Sequence, residues 1–179
     1  LFIIMFVHNT YSQINENGFN VFYYENGVKS SEGYLKNGKP DGFWKTYYEN
    51  GVLKTEGKRT EFLLDSIWVF YFKNSLVHQK IAYRKNERNG LLTIYNNKGA
   101  LLEETTYKDD EKNGKSIIYQ PIDSGYQSYK IQDLIYKNNL QQDISYEYDQ
   151  SGRIITITEH NKGILKNRDI INRHDINGK

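Results

Sequence analysis

Gly42-Phe43-Trp44-Lys45-Thr46-Tyr47-Tyr48-Glu49-Asn50-Gly51 reads as a β-strand that runs into a tight turn. Its aromatic residues suit a pleated, half-buried backbone. Asn-Gly is a strong short-range hairpin signal, because a type I′ turn needs positive φ at both central residues. The stretch recurs along the chain. Tyr23, Tyr47, Tyr71, Tyr95 and Tyr119 follow one another at intervals of 24 residues. Five residues before each stand Gly18, Gly42, Ser66, Gly90 and Gly114, preceded by Asn17, Asp41, Asp65, Asn89 and Asn113. Four residues after the first four tyrosines stand Gly27, Gly51, Ser75 and Gly99. A charged position recurs at Glu32, Glu56, Lys80 and Glu104.

Each unit therefore reads as strand, tight turn, strand, polar turn. The polar turn falls at the Asx-Gly junction between units. The expected fold is all-β, an elongated antiparallel meander of 24-residue β-hairpin repeats over residues 18–120. A lone hairpin is marginal in water, so stacking between neighbours must supply stability. The five tyrosines are expected to form a core ladder on one face, with Gly18, Gly42, Gly90 and Gly114 in turns. The second face carries Trp44, Trp68, Tyr24, Tyr48 and Phe72. A single sheet cannot bury both faces within itself, so those five residues are the candidate binding surface.

After Tyr119 the spacing changes. Pro121 cannot donate to a ladder. Ser124 to Asn139 reads as a longer irregular hairpin. The pattern partly returns from Tyr146 to Ile154, and Asn161 to Lys179 reads as a terminal cap or a frayed hairpin. Residues 121–179 are thus expected to hold degenerate repeats and a C-terminal cap.

Composition agrees with strands. Tyrosine occurs 16 times in 179 residues, while alanine stands only at Ala82 and Ala100. The absence of cysteine excludes disulfides, thiolate metal sites and a cysteine nucleophile. Net charge is +2, which supplies no strong field for phosphate backbones, so no nucleic-acid partner is expected. Leu1 to Val7 is an uninterrupted apolar run, followed by small Thr10 and Ser12. It is too short to span a bilayer and reads as an export signal over residues 1–12, without an initiator Met or a basic n-region, with cleavage before Gln13. No other transmembrane candidate follows. The expected location is the periplasm, the cell envelope or the exterior.

Tyr23-Tyr24-Glu25-Asn26-Gly27-Val28-Lys29, its echo Tyr47-Tyr48-Glu49-Asn50-Gly51-Val52-Leu53-Lys54, and the unit start Asp41-Gly42-Phe43-Trp44 resemble the bacterial MORN-repeat variant of the YwqK-like family. The resemblance covers residues 18–120. Units three and four depart from it at Ser66, Ser75 and Asn96-Asn97-Lys98-Gly99. It implies a docking scaffold or membrane-apposed module. The antitoxin label common in that family implies a partner toxin. The segment Tyr146 to Ile154 also resembles a YD repeat of the Rhs type.

Candidate chemistry is sparse. His8, His78, His160 and His174 have no paired ligand spacing. Asp109, Glu111, Asn113 and Gly114 open like a calcium loop, but Gln120 stands where a bidentate carboxylate is needed. Glu32, Glu56 and Glu104 recur with the repeat, which suits a structural role better than one asymmetric active site. No cofactor is expected. The expectation is a non-enzymatic, repeat-built binding or scaffold protein engaging a protein or a surface polymer. An antitoxin or immunity protein is the alternative. A glycan hydrolase with a carboxylate pair comes last, because no unique pair exists.

Overall fold

A computed structural model describes residues 14–171. They form a single 13-stranded sheet in which every strand pairs with its chain neighbours, antiparallel throughout. The strands are β1 (Phe19–Tyr23), β2 (Lys29–Lys36), β3 (Lys39–Tyr47), β4 (Leu53–Thr60), β5 (Leu63–Tyr71), β6 (Val77–Arg84) and β7 (Glu87–Tyr95). They continue as β8 (Leu101–Lys108), β9 (Glu111–Pro121), β10 (Ser128–Lys137), β11 (Leu140–Tyr148), β12 (Ile154–Asn161) and β13 (Ile164–Ile170). No helix occurs among the described residues. The apolar run and its cleavage position lie outside them.

Two kinds of connection alternate. From Asn37-Gly38 onward, two-residue turns join β2 to β3 and each later pair in kind: Glu61-Phe62, Lys85-Asn86, Asp109-Asp110, Asn138-Asn139 and Lys162-Gly163. Both residues of every such turn have positive φ, as a type I′ turn requires. The other connections are five-residue loops, except for the six-residue loop 122–127 between β9 and β10. In the first, the Tyr24 N–H donates to Val28 O and the Gly27 N–H to Tyr24 O, and Gly27 has positive φ. Tyr48 to Val52 and Asn96 to Ala100 repeat the pattern.

The Asx-Gly junctions are therefore not turns. Gly42, Gly90 and Gly114 lie inside β3, β7 and β9, at φ of 77°, 126° and 110°. Gly42 sits where the β2–β3 ladder jumps from Gly33↔Trp44 to Tyr34↔Asp41, a β-bulge. Bulges and tight turns both call for positive φ, so glycine alone does not separate them. Gly18 alone fits the expectation in part, in a bend just before β1. A second set of bulges falls beside the tyrosines, at Thr46/Tyr47, Phe70/Tyr71 and Ile94/Tyr95.

Past Tyr119 the meander continues. β9 and β10 form a longer hairpin with a bulge at Lys130/Gln132. β12 and β13 pair as ordinary strands from Thr156↔Ile170 to Asn161↔Ile164. Every residue of β13 is exposed, and the rest of the expected C-terminal cap, residues 172–179, lies outside the described residues.

The core lies on one face, along a row that crosses the sheet. Ladder pairing links Asn20, Gly33, Trp44 and Gly57 on β1 to β4. Trp68, Ile81, Leu92, Thr105, Ser116 and Leu134 continue the row from β5 to β10. Trp44 covers Gly33, and Trp68 covers Gly57. Two buried clusters result. Leu35, Trp44 and Trp68 form one, and Ile81, Leu92 and Tyr107 the other, with Phe70 and Tyr83 packed against both. The row then becomes polar, with Thr105 and Ser116 almost completely buried and their hydroxyls hydrogen-bonded at 2.6 Å.

Candidate functional site

Alternation along a strand sends neighbouring side chains to opposite faces. With Trp44 on the core face, Phe43, Lys45 and Tyr47 point to the other. Ladder pairing there runs Val21, Glu32, Lys45, Glu56, Val69 and Lys80, then Thr93, Glu104, Ile117 and Asp133.

The tyrosines brace this second face. The Tyr47 hydroxyl donates to Glu32, Tyr71 to Glu56 at 2.6 Å and Tyr119 to Glu104 at 2.8 Å. Burial, followed by the adjacent carboxylate, pushes all three phenols up to about 12. The hydrogen bond from Lys29, and then that from Tyr47, holds the Glu32 carboxyl below its ordinary value. Tyr148 donates to Asp133 at 2.9 Å in the same way, a rung the sequence reading missed. Its interval from Tyr119 is 29 residues, because the β9–β10 hairpin is longer. The offset −15 between each tyrosine and its carboxylate was the available signal. For Tyr95 that offset gives Lys80, so the rung is absent.

The expected faces are thus exchanged. Tyr47, Tyr71, Tyr95 and Tyr119 are half-buried and Tyr23 is 63% exposed, so none of the five is core. Trp44 and Trp68 are 8% and 4% exposed, so neither is offered for contact. The physical reason is the glycine opposite each indole. It leaves a slot that a large flat side chain fills, and the indole hides the bare backbone. Trp68 also donates its N–H to Lys58 O at 2.9 Å, which satisfies its polar atom.

Tyr24, Tyr48 and Phe72 stand in the five-residue loops. Tyr24 donates to Tyr47 O at 2.6 Å and Tyr48 to Tyr71 O at 2.8 Å, each tying one loop to the next hairpin. Phe72 packs against His78, the rings tilted and their centroids 4.4 Å apart. Lys54 and Lys73 both lie over the Tyr48 ring. These three residues occupy one margin of the sheet and form no common surface with the tryptophans.

What the tyrosine face does offer is an apolar row. Phe43, Ile67 and Leu91 occupy the same position in β3, β5 and β7 and are 53%, 60% and 47% exposed. Phe19 and Tyr34 extend it, paired edge to face at 5.4 Å. Lys58, Ala82 and Thr106 are their ladder neighbours. The row is legible in the sequence at the residue after Gly18, Gly42, Ser66 and Gly90, while Lys115 follows Gly114. Among the described residues, no group of three or more His, Asp or Glu could hold a metal ion. No described helix is long and apolar enough to cross a membrane.

Against known proteins, the chain matches no family model and no curated sequence.

Proposed function

We propose that this chain is a non-enzymatic binding protein of the cell envelope or exterior, built from 24-residue MORN-like hairpin units, that engages a protein partner through its tyrosine face. The observation that carries this reading is the exposed row Phe43, Ile67 and Leu91. Three large apolar side chains at one strand position contribute nothing to the core they face away from. Exposed apolar rows rimmed by charge are typical of protein contact surfaces. Here the rim is Lys45, Glu56, Lys58 and Lys80. Tyr71 holds Glu56 of that rim in place, so this side chain has little entropy left to lose on docking.

The repeat length is supported by β3, β5, β7 and β9, which begin at Lys39, Leu63, Glu87 and Glu111. Export is supported by the apolar run Leu1 to Val7.

The test is affinity capture from native cells, followed by binding of the recovered partner to purified chain. Changing Phe43, Ile67 and Leu91 together to Ser is expected to weaken that binding by at least about tenfold, while thermal unfolding stays within a few degrees of wild type. Equal affinity for the triple variant contradicts the proposal. The N-terminus of the captured chain reports export directly, and a start before Gln13 on extracytoplasmic material contradicts the expected cleavage.

A further inference from the structure

The core row changes character along the sheet. Trp44, Trp68 and Leu92 fill it in β3, β5 and β7, but Ser116 and Ser145 take the equivalent place in β9 and β11. Ser145 pairs with Thr158, and Thr158 with Arg168 on β13. With hydroxyls where indoles stood, the core face sinks into a cleft of about 410 Å³ across β10 to β13. That volume is in the range of small-molecule sites.

The cleft wall is polar and comes from four strands. Gln132, Glu147, His160 and Arg168 line it, with Tyr136 and Leu165 as its apolar side. The Gln132 amide donates to Glu147 Oε1 at 3.1 Å, and Gln141 donates to the Ser145 hydroxyl at 2.9 Å. His160 Nδ1 is buried and has no hydrogen-bond partner among the described residues. Buried polar atoms are satisfied in about nine cases of ten or more, so an orphan beside a cleft marks an unmet hydrogen bond. The lining carries one carboxylate and one guanidinium, which leaves it without net charge.

Charge balance disfavours a strong anion or cation. Donors and acceptors both point to a ligand rich in groups that do both. The ring of Tyr136 and the Leu165 side chain suit the C–H face of a sugar ring. We propose that this cleft binds a neutral saccharide unit. It lies on the face opposite the apolar row and does not depend on the protein contact proposed above.

The test uses ¹⁵N-labelled full chain titrated in turn with cellotriose, chitotriose, triglycine and sulfate, read by amide shifts. At least one trisaccharide is expected to move amides of β10 to β13 at millimolar concentration, with triglycine and sulfate inert. Ser145→Leu restores the aliphatic side chain that Leu92 supplies upstream, so it fills the cleft. It is expected to weaken saccharide binding about tenfold or more while the chain stays folded at the titration temperature. Glu147→Gln gives a second variant that keeps the shape and is expected to weaken binding severalfold. The proposal fails if neither trisaccharide shifts those amides, if triglycine or sulfate shifts them equally, or if both variants bind as wild type. Partner capture through Phe43, Ile67 and Leu91 stays intact in either variant, so the two proposals fail separately.

Discussion

Gly33 and Gly57 make room for the two indoles. A methyl group at either position would overlap the tryptophan ring on the next strand, Trp44 or Trp68. Neither glycine has positive φ, so the cost of Gly→Ala there is steric alone. Gly33→Ala and Gly57→Ala are each expected to destabilise by about 1–3 kcal/mol in urea unfolding. The array itself suggests the compensation. Where Ile81 replaces the glycine, Leu92 replaces the tryptophan, and Thr105 goes with Ser116. Gly33→Ile combined with Trp44→Leu is therefore expected to recover most of what Gly33→Ile alone loses. A double variant no better than the single contradicts this. The paired change was legible in the sequence only after strand register was known, since the partners lie on different strands. The tyrosine rungs make a second prediction at this scale. An ordinary phenol titrates near about 10. Tyr47, Tyr71 and Tyr119 are pushed up to about 12, so the fold favours their neutral form. Their contribution is complete below the unfolded value and is lost as pH rises through the folded one. Stability is expected to fall between about pH 10 and pH 12, with a shallower fall in Tyr47→Phe and Tyr71→Phe. An unchanged slope in both variants contradicts it.

Turn chemistry decides where each hairpin begins. The two-residue turns share a backbone, yet only Asn37-Gly38 announces it in sequence. Glu61-Phe62 and Lys85-Asn86 adopt the same positive φ with residues that disfavour it, because the flanking ladders impose the geometry. That is why the Asx-Gly bulges are the more visible marker, four residues past the true turns. Phe62, at φ of 72°, carries the clearest strain. A left-handed conformation costs a residue with Cβ roughly 1–2 kcal/mol. Replacing Glu61-Phe62 by Asn-Gly is expected to stabilise the chain by about 1 kcal/mol and to raise its melting temperature by a few degrees. A lower melting temperature contradicts the type I′ assignment. Strand type was easy to read here. Tyr, Phe, Trp and Ile between turn residues left no competing helical pattern, and the meander from Phe19 to Ile170 followed.

Across the whole sheet, one face is closed by its own side chains and the other is open. The sequence named the strands but not which face was which. Period-two alternation sorts Trp44 from Phe43 without telling which is covered. What decides it is the partner on the adjacent strand, a glycine beneath each tryptophan, whereas Phe43, Ile67 and Leu91 face Lys58, Ala82 and Thr106. The core also thins from indoles to aliphatics to hydroxyls toward β11, which is where the proposed saccharide cleft opens. Both functional proposals depend on this sidedness. The chain has only two tryptophans, Trp44 and Trp68, so one optical measurement reports on it. Intrinsic tryptophan emission with acrylamide quenching is expected to give a blue-shifted band with little quenching, shifting to the red and quenching strongly only on unfolding. Emission from the folded chain that is already red-shifted and freely quenched would place the indoles in solvent and contradict the account.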